Sequence, residues 1–318
     1  MSAGGSARAV VAALLANLGI AVTKCIAFAL TGSSSMLAEA IHSVVDSGNQ
    51  ALLLVGGKRA TRRATAKHPF GFGRERYIYA FIVTIMLFTA GGLFALYEGY
   101  HKLSHPTPIT EWQWVPIAVL VIGIALESFS FRTAIHEANH IRNGVSWPKF
   151  IRRSRVPELP VVLLEDFAAL IGLVFALIGV GLTLVTGNGV WDGVGTIAIG
   201  FLLVVVAIVL AVEMKSLLIG ESATPEELEK IERAIMAGDE AERIIHMRTV
   251  HVGPDDLLVA AKIAVRHDET AEAVAKGIDA IEKRIRETVP IAKMIYLEPD
   301  IYRQPAAGRE AESALTEH

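Results

Sequence analysis

The stretch Ser33-Ser-Ser-Met-Leu-Ala-Glu-Ala-Ile-His-Ser-Val-Val-Asp-Ser-Gly-Asn49 decides how this chain is read. It places His42 and Asp46 four residues apart. On a helix that spacing puts an imidazole and a carboxylate on one face, a turn apart, where both can reach one metal ion. The pattern continues through Gln50-Ala-Leu-Leu-Leu-Val-Gly-Gly57, so the polar pair lies within a mostly apolar span. Ionisable groups at membrane depth are expensive and face an interior site.

Composition agrees with a membrane protein. The 318 residues are 52% hydrophobic with a mean hydropathy of +0.45, above an ordinary soluble domain. Charge is unevenly distributed: 21 of the 33 acidic residues, but only 13 of the 30 basic ones, lie from Glu221 onward. An apolar, net basic front therefore joins an acidic, soluble-looking tail. The single cysteine, Cys25, excludes a disulfide framework and a Cys-rich metal site, and its apolar flanks predict a thiol packed in the core.

Six apolar runs are long enough to cross a bilayer: about Arg8 to Thr31, Met36 to Gly57, Tyr77 to Tyr100, Trp114 to Ala134, Leu159 to Thr186 and Trp191 to Met214. The link Lys58 to Arg76 carries Lys58, Arg59, Arg62, Arg63, Lys67, Arg74 and Arg76, and the one after the fourth run carries Arg142, Lys149, Arg152, Arg153 and Arg155. Both are expected in the cytoplasm, which six crossings extend to both termini. Trp112, Trp114 and Trp191 fall near the expected interfaces, and Gly193, Gly195 and Gly200 allow close helix contact. Lys24 is expected to snorkel or pair structurally, Glu39 to line the path or pair with Lys24, and Glu127 and Asp192 to be interfacial polar groups.

After Gly220 the pattern becomes α-β-β-α-β. Thr224-Pro-Glu-Glu predicts a capped helix to Ala237, with Glu227 completing a capping box. Strands are expected over Ile244 to Val252 and Leu257 to Val265, around a Gly253-Pro-Asp-Asp turn, then a helix from about Thr270 to Thr288 and a strand from Ala292 to Leu297. The expected domains are 1–219, helical and membrane-spanning, and 220–303, cytoplasmic, with a disordered tail over 304–318.

Four pieces in this order carry a resemblance: Ser35-Met-Leu-Ala-Glu-Ala-Ile-His-Ser-Val-Val-Asp-Ser-Gly-Asn-Gln50, His68-Pro-Phe-Gly-Phe-Gly-Arg-Glu-Arg-Tyr77, Glu165-Asp-Phe-Ala-Ala-Leu-Ile-Gly172 and Lys215-Ser-Leu-Leu-Ile-Gly-Glu221. The chain resembles the cation diffusion facilitators, six-helix metal/proton antiporters with a cytoplasmic ferredoxin-like α+β domain, and most of all their ZnT9-like branch. The resemblance implies a homodimer and a tetrahedral metal site from two residues on the second helix and two on the fifth. His42 and Asp46 match the first pair and Asp166 the carboxylate of the second, while Val162 stands at the fourth position. Glu165, Asn49 or water is left to complete the set. The family's secondary metal positions meet His68, with Phe72 in place of its partner, and His246 and Glu298, near which His251 and His267 stand. The family's basic residue entering the third span corresponds to Arg74, with Glu213 and Glu221 as candidate acidic partners.

An imidazole and carboxylates suit Zn²⁺, and the oxygen share admits Mn²⁺, Co²⁺ or Fe²⁺. Such ligands bind metal only when deprotonated, so protons compete for one site, and alternating access then gives metal/proton exchange. The expected function is export of a divalent transition metal, most of all zinc, across the inner or plasma membrane. The metal is cargo, no further cofactor is implied, and the expected partners are protons and membrane lipid, without nucleic acid. The absence of an Arg-rich, acid-poor leader argues against organelle targeting. A metal sensor or a channel without proton coupling is the alternative. An enzyme is not expected, because no His-Glu-x-x-His helix or nucleophile and base constellation is present.

Overall fold

A computed structural model describes residues 3–31, 34–106, 113–142 and 144–302. Within the first two helices some side chains, those of Glu39 and His42 among them, lie outside the described set. Trp112 and the expected tail over 304–318 lie outside it too. The chain divides into two compact units, Met1–Ile219 and Gly220–His318.

The first unit is helical: α1 (Ala3–Thr31), α2 (Ser34–Ala60), α3 (Glu75–Met86), a π-helical segment (Leu87–Leu93), α4 (Phe94–Ser104), α5 (Trp114–Arg142), a short α6 (Trp147–Arg153), α7 (Glu158–Thr186) and α8 (Val190–Ile219). A chain in hydrocarbon must satisfy its backbone internally, and long helices rich in Ala, Val, Leu and Ile do so. Among the described residues four helical stretches are long and apolar enough to cross a membrane: Glu75–Ser104, Trp114–Arg142, Glu158–Thr186 and Val190–Ile219. The first of these runs through α3, the π segment and α4 without a break.

The long helices pack as a ring. α1 lies against α2 and α5, α5 against α7, α7 against α8, α8 against α3, the π segment and α4, and α2 closes the circuit on α3. The α4–α8 seam is made close by glycine: a Cβ on Gly200 would stand 2.7 Å from the Leu96 backbone nitrogen, and one on Gly99 2.6 Å from an Ile197 side-chain carbon. Backbones this near gain dispersion contact that lipid cannot replace. Lys102 and Asp192 join the ends of the same two helices through a 3.0 Å ion pair.

Two expectations are corrected within this unit. Cys25 is exposed on the helical surface instead of packed in the core, because apolar flanks in a membrane helix mark a lipid-facing side as readily as an inner one. Glu127, expected at an interface, is only 4% exposed, on a face of α5 turned into the ring.

The second unit holds α9 (Pro225–Met236), β1 (Arg243–Gly253), β2 (Asp256–Ala264), α10 (Ala271–Thr288) and β3 (Ala292–Asp300). The Thr224 hydroxyl accepts from the Glu227 amide while the Glu227 carboxylate accepts from the Thr224 amide, which is the capping box expected from Thr224-Pro-Glu-Glu. β2 is the middle strand, antiparallel to β1 and parallel to β3. Alternation along β2 sends Leu257, Val259, Ala261 and Ile263 to the face covered by Ile231 and Ile235 of α9 and Ile281 and Ile285 of α10. The opposite face of the sheet carries His246, Lys262 and Glu298 in one row.

Candidate metal centre

Polar side chains inside the ring collect around one cavity of about 60 Å³. All six long helical stretches line it: Ile20 and Lys24 from α1, Ser43 and Asp46 from α2, Leu87 from the π segment, Glu127 from α5, Glu165 and Gly172 from α7, and Ile199 and Leu203 from α8. The apolar majority of that lining lowers the local dielectric and strengthens the field of each charge. π segments recur at functional sites because they turn one side chain out of the α-helical register, and Leu87 opens this one at the cavity wall.

The expected residues are placed as follows. Asp46 lines the cavity and is 9% exposed. The His42 backbone lies one turn earlier on α2. Glu165 also lines the cavity, held by two amides of α2: Asn49 Nδ2 donates to Oε1 at 3.1 Å and Gln50 Nε2 to Oε2 at 2.7 Å. Those bonds fix the carboxylate and leave Asn49 Oδ1 and Gln50 Oε1, both buried, without a hydrogen-bond partner among the described residues. A buried amide oxygen so left is a ready hard ligand for a cation. Asp166, the neighbour of Glu165, leaves the helix about 100° round from it and is buried, 1% exposed. Its Oδ2 accepts from Ser130 Oγ of α5 at 2.6 Å.

On α1, Lys24 Nζ donates to Ser43 Oγ at 2.9 Å, which brings a buried ammonium to the same cavity. Among the described residues no three His, Cys, Asp or Glu side chains converge closely enough to grip a bare ion. Asp46, Glu127 and Glu165 all line the walls of the cavity.

A buried ion pair escaped the sequence reading. Arg76, at the start of α3, forks onto Glu158, at the start of α7: Nε donates to Oε1 and Nη2 to Oε2 at 2.7 Å, and each side chain is 6% exposed. The basic links around Arg76 make it look like a solvated charge, and only the packing of α3 on α7 reveals the bond. Arg74, two residues earlier, is exposed.

The secondary positions lie apart. His68 is exposed, closing a tight turn with Thr65 and tilted against the Phe72 ring at 4.8 Å. His246 and Glu298 sit on the outer strands either side of Lys262, whose Nζ is 3.0 Å from both Glu298 and Asp300. Hydrogen bonds to Asp300 and Glu298 hold the Lys262 ammonium above its ordinary range, so a permanent cation occupies the middle of that row. His251 is buried, its Nδ1 3.4 Å from the Gly253 carbonyl and its Nε2 4.0 Å from Glu227.

The chain is similar to known proteins over most of its length. A family profile described as the cation efflux transmembrane domain matches residues 10–219. The chain is 34% identical over 244 residues to the human protein named proton-coupled zinc antiporter SLC30A9, mitochondrial, an alignment covering 76% of this chain and 43% of that protein. It is 30% identical to metal tolerance protein C4 of Arabidopsis thaliana over 81% of this chain and 57% of the relative. It is 27% identical to zinc transporter ZitB of Pectobacterium atrosepticum over 44% of this chain and 42% of the relative. The chain thus spans less than half the length of the first of these relatives. A ring of membrane helices around a carboxylate-lined cavity, matched along its length by the efflux profile, makes the chain a member of the cation diffusion facilitator family, in its ZnT9-like branch.

Proposed function

We propose that this protein exports a divalent transition metal, zinc first among them, in exchange for protons. The observation that carries the reading is the cavity at the centre of the helical ring, where Asp46 and Glu165 stand among apolar walls to which every long helical stretch contributes. Two carboxylates in a low-dielectric setting attract a divalent cation strongly, and protons compete for the same oxygens. Because the cavity is walled by all of the long helices, small rotations among them open it to one side or the other, which is the requirement of alternating access. The names of the human and bacterial relatives, a proton-coupled zinc antiporter and a zinc transporter, support zinc and proton exchange.

In this reading α1 and α2 complete six crossings. The basic link Lys58 to Arg76 faces the cytoplasm of the inner or plasma membrane, with both termini on that side. The proposed cargo ligands are His42, Asp46 and Asp166, with Glu165, Asn49 or water completing the set. The unit from Gly220 onward is a cytoplasmic ferredoxin-like domain, and two copies of the chain associate as a homodimer in the lipid bilayer.

The test is metal flux into proteoliposomes for Zn²⁺, Mn²⁺, Co²⁺ and Fe²⁺, with and without a pH gradient, for wild type and Asp166→Ala. Saturable Zn²⁺ flux that rises with an imposed gradient and vanishes in the variant is the expected result. Fast flux indifferent to the gradient identifies a channel. Absence of flux for every metal from folded, oriented protein overturns transport and leaves a sensor.

A further inference from the structure

The carboxylate that the known motifs leave out is Glu127. It belongs to α5, the helix wedged between α1 and α7, and lines the same cavity as Asp46, Glu165 and Lys24. It is 4% exposed, and its Oε2 has no hydrogen-bond partner among the described residues. A buried carboxylate oxygen left in this way is costly unless something arrives to satisfy it. Two other acids nearby are already held by neutral donors, Glu165 by two amides and Asp166 by Ser130. Ser130 stands three residues beyond Glu127 on the same face of α5, so one turn of this helix both steadies Asp166 and presents a second carboxylate to the cavity.

We infer that Glu127 binds the transported cation, through its Oε2 or through one of the cation's waters, as an oxygen ligand from a helix outside the two that carry the family motif. The inference rests on the transport reading above. It also gives Lys24 a role: its ammonium, anchored on Ser43 at the cavity wall, supplies positive charge to this group of acids when no cargo is present. An additional carboxylate shifts the donor set toward oxygen, so Glu127 also affects the choice between Zn²⁺ and the harder Mn²⁺.

The experiment is calorimetric titration of the full-length protein in lipid nanodiscs with Zn²⁺ and with Mn²⁺, for wild type, Glu127→Gln, Glu127→Asp and Asp46→Asn, with proteoliposome flux and metal-free thermal unfolding measured in parallel. Glu127→Gln should raise the Kd for Zn²⁺ by about tenfold or more and that for Mn²⁺ by a larger factor, with KM following Kd and the metal-free unfolding temperature unchanged. Glu127→Asp should fall between. Should the Gln variant fail to fold, the Asp variant decides in the same titration, and an unchanged Kd for both metals overturns the inference. A wild-type Kd in Glu127→Gln beside lost binding in Asp46→Asn removes Glu127 and leaves transport standing. A wild-type chain that binds neither metal overturns both readings.

Discussion

Two groups of acids in this molecule are treated in opposite ways. Inside the helical ring Asp46, Glu127 and Glu165 border a cavity, and the donors fixed on Glu165 are the neutral amides of Asn49 and Gln50. On the open face of the sheet Glu298 and Asp300 share one resident cation, Lys262, at 3.0 Å from each. Neutral donors orient a carboxylate without cancelling its charge, whereas an ammonium cancels it and occupies the space. The amides thus leave Glu165 its charge for a visiting ion, whereas Lys262 neutralises Glu298 and Asp300. A metal site can therefore be sought in how acids are satisfied, beyond where they are.

The comparison breaks most directly at Asp46. Asp46→Ala should lower Zn²⁺ flux by more than about a hundredfold in proteoliposomes while the protein stays folded, since the variant removes a proposed cargo ligand. Flux near the wild-type level would show that the cavity acids are as inert as those on the sheet.

A second cut falls on Arg76 and Glu158, the one place in the helical unit where a buried acid is described in a bidentate bond to its own guanidinium. Arg76→Met alone leaves a buried carboxylate without its counter-ion and should cost about 3 kcal/mol in reversible unfolding from detergent, whereas Arg76→Met combined with Glu158→Leu should recover most of the loss. Strict additivity of the two changes would mean that the bond holds nothing together, and α7 would need another anchor at this end.

Much of this was legible beforehand. Apolar runs separated by basic links gave the helices, because length and hydropathy are set locally. The capping box at Thr224 and the alternation along β2 gave the second unit for the same reason. Boundaries failed where no local breaker stands: α5 runs on to Arg142, two turns past Ala134, and the link after it hides the seven-residue α6. At the cavity, spacing and resemblance point to Asp46 and Glu165, which line it, but not to Glu127, which lines it too. Which face of α5 meets the cavity depends on how α1 and α7 pack against it, and the Asn49 to Glu165 bond spans 116 positions of sequence. Cys25 failed for a related reason: hydropathy separates membrane from water, and it does not separate the ring's interior from lipid.

The sheet offers a way to sharpen the comparison. His246, Lys262 and Glu298 are successive partners across the three strands, so their side chains share one face. Lys262→His should exchange the resident cation for a third ligand. Zn²⁺ titration of the full chain should then show one added equivalent, bound about tenfold or more tightly than any site that Lys262→Ala exposes. The same stoichiometry in wild type and both variants would mean that the row is too widely spaced to bind a metal, with or without the lysine.

The smallest expected effect concerns another paired acid of the second unit. Arg284 of α10 donates to both oxygens of Glu240, Nη1 to Oε1 at 2.9 Å and Nη2 to Oε2 at 2.8 Å, and its Nε reaches the Ala234 carbonyl near the end of α9. The Arg284 hydrogen bonds hold the Glu240 carboxyl below its ordinary value of 4.5. A carboxyl lowered in the folded state contributes stability that is present above its unfolded value and lost as pH falls through the folded one. The pair is partly exposed, with side chains 27% and 28% accessible, so screening keeps the contribution near about 1 kcal/mol or less. Glu240→Gln should therefore speed hydrogen exchange in α10 modestly at neutral pH, with the gap from wild type closing as the pH drops below 4.5. Acid should cost this domain a little of its packing. At Asp46 the same protonation should instead cost the protein its cargo, so a pH scan that moved α10 exchange and Zn²⁺ binding in strict parallel would erase the distinction between the two groups.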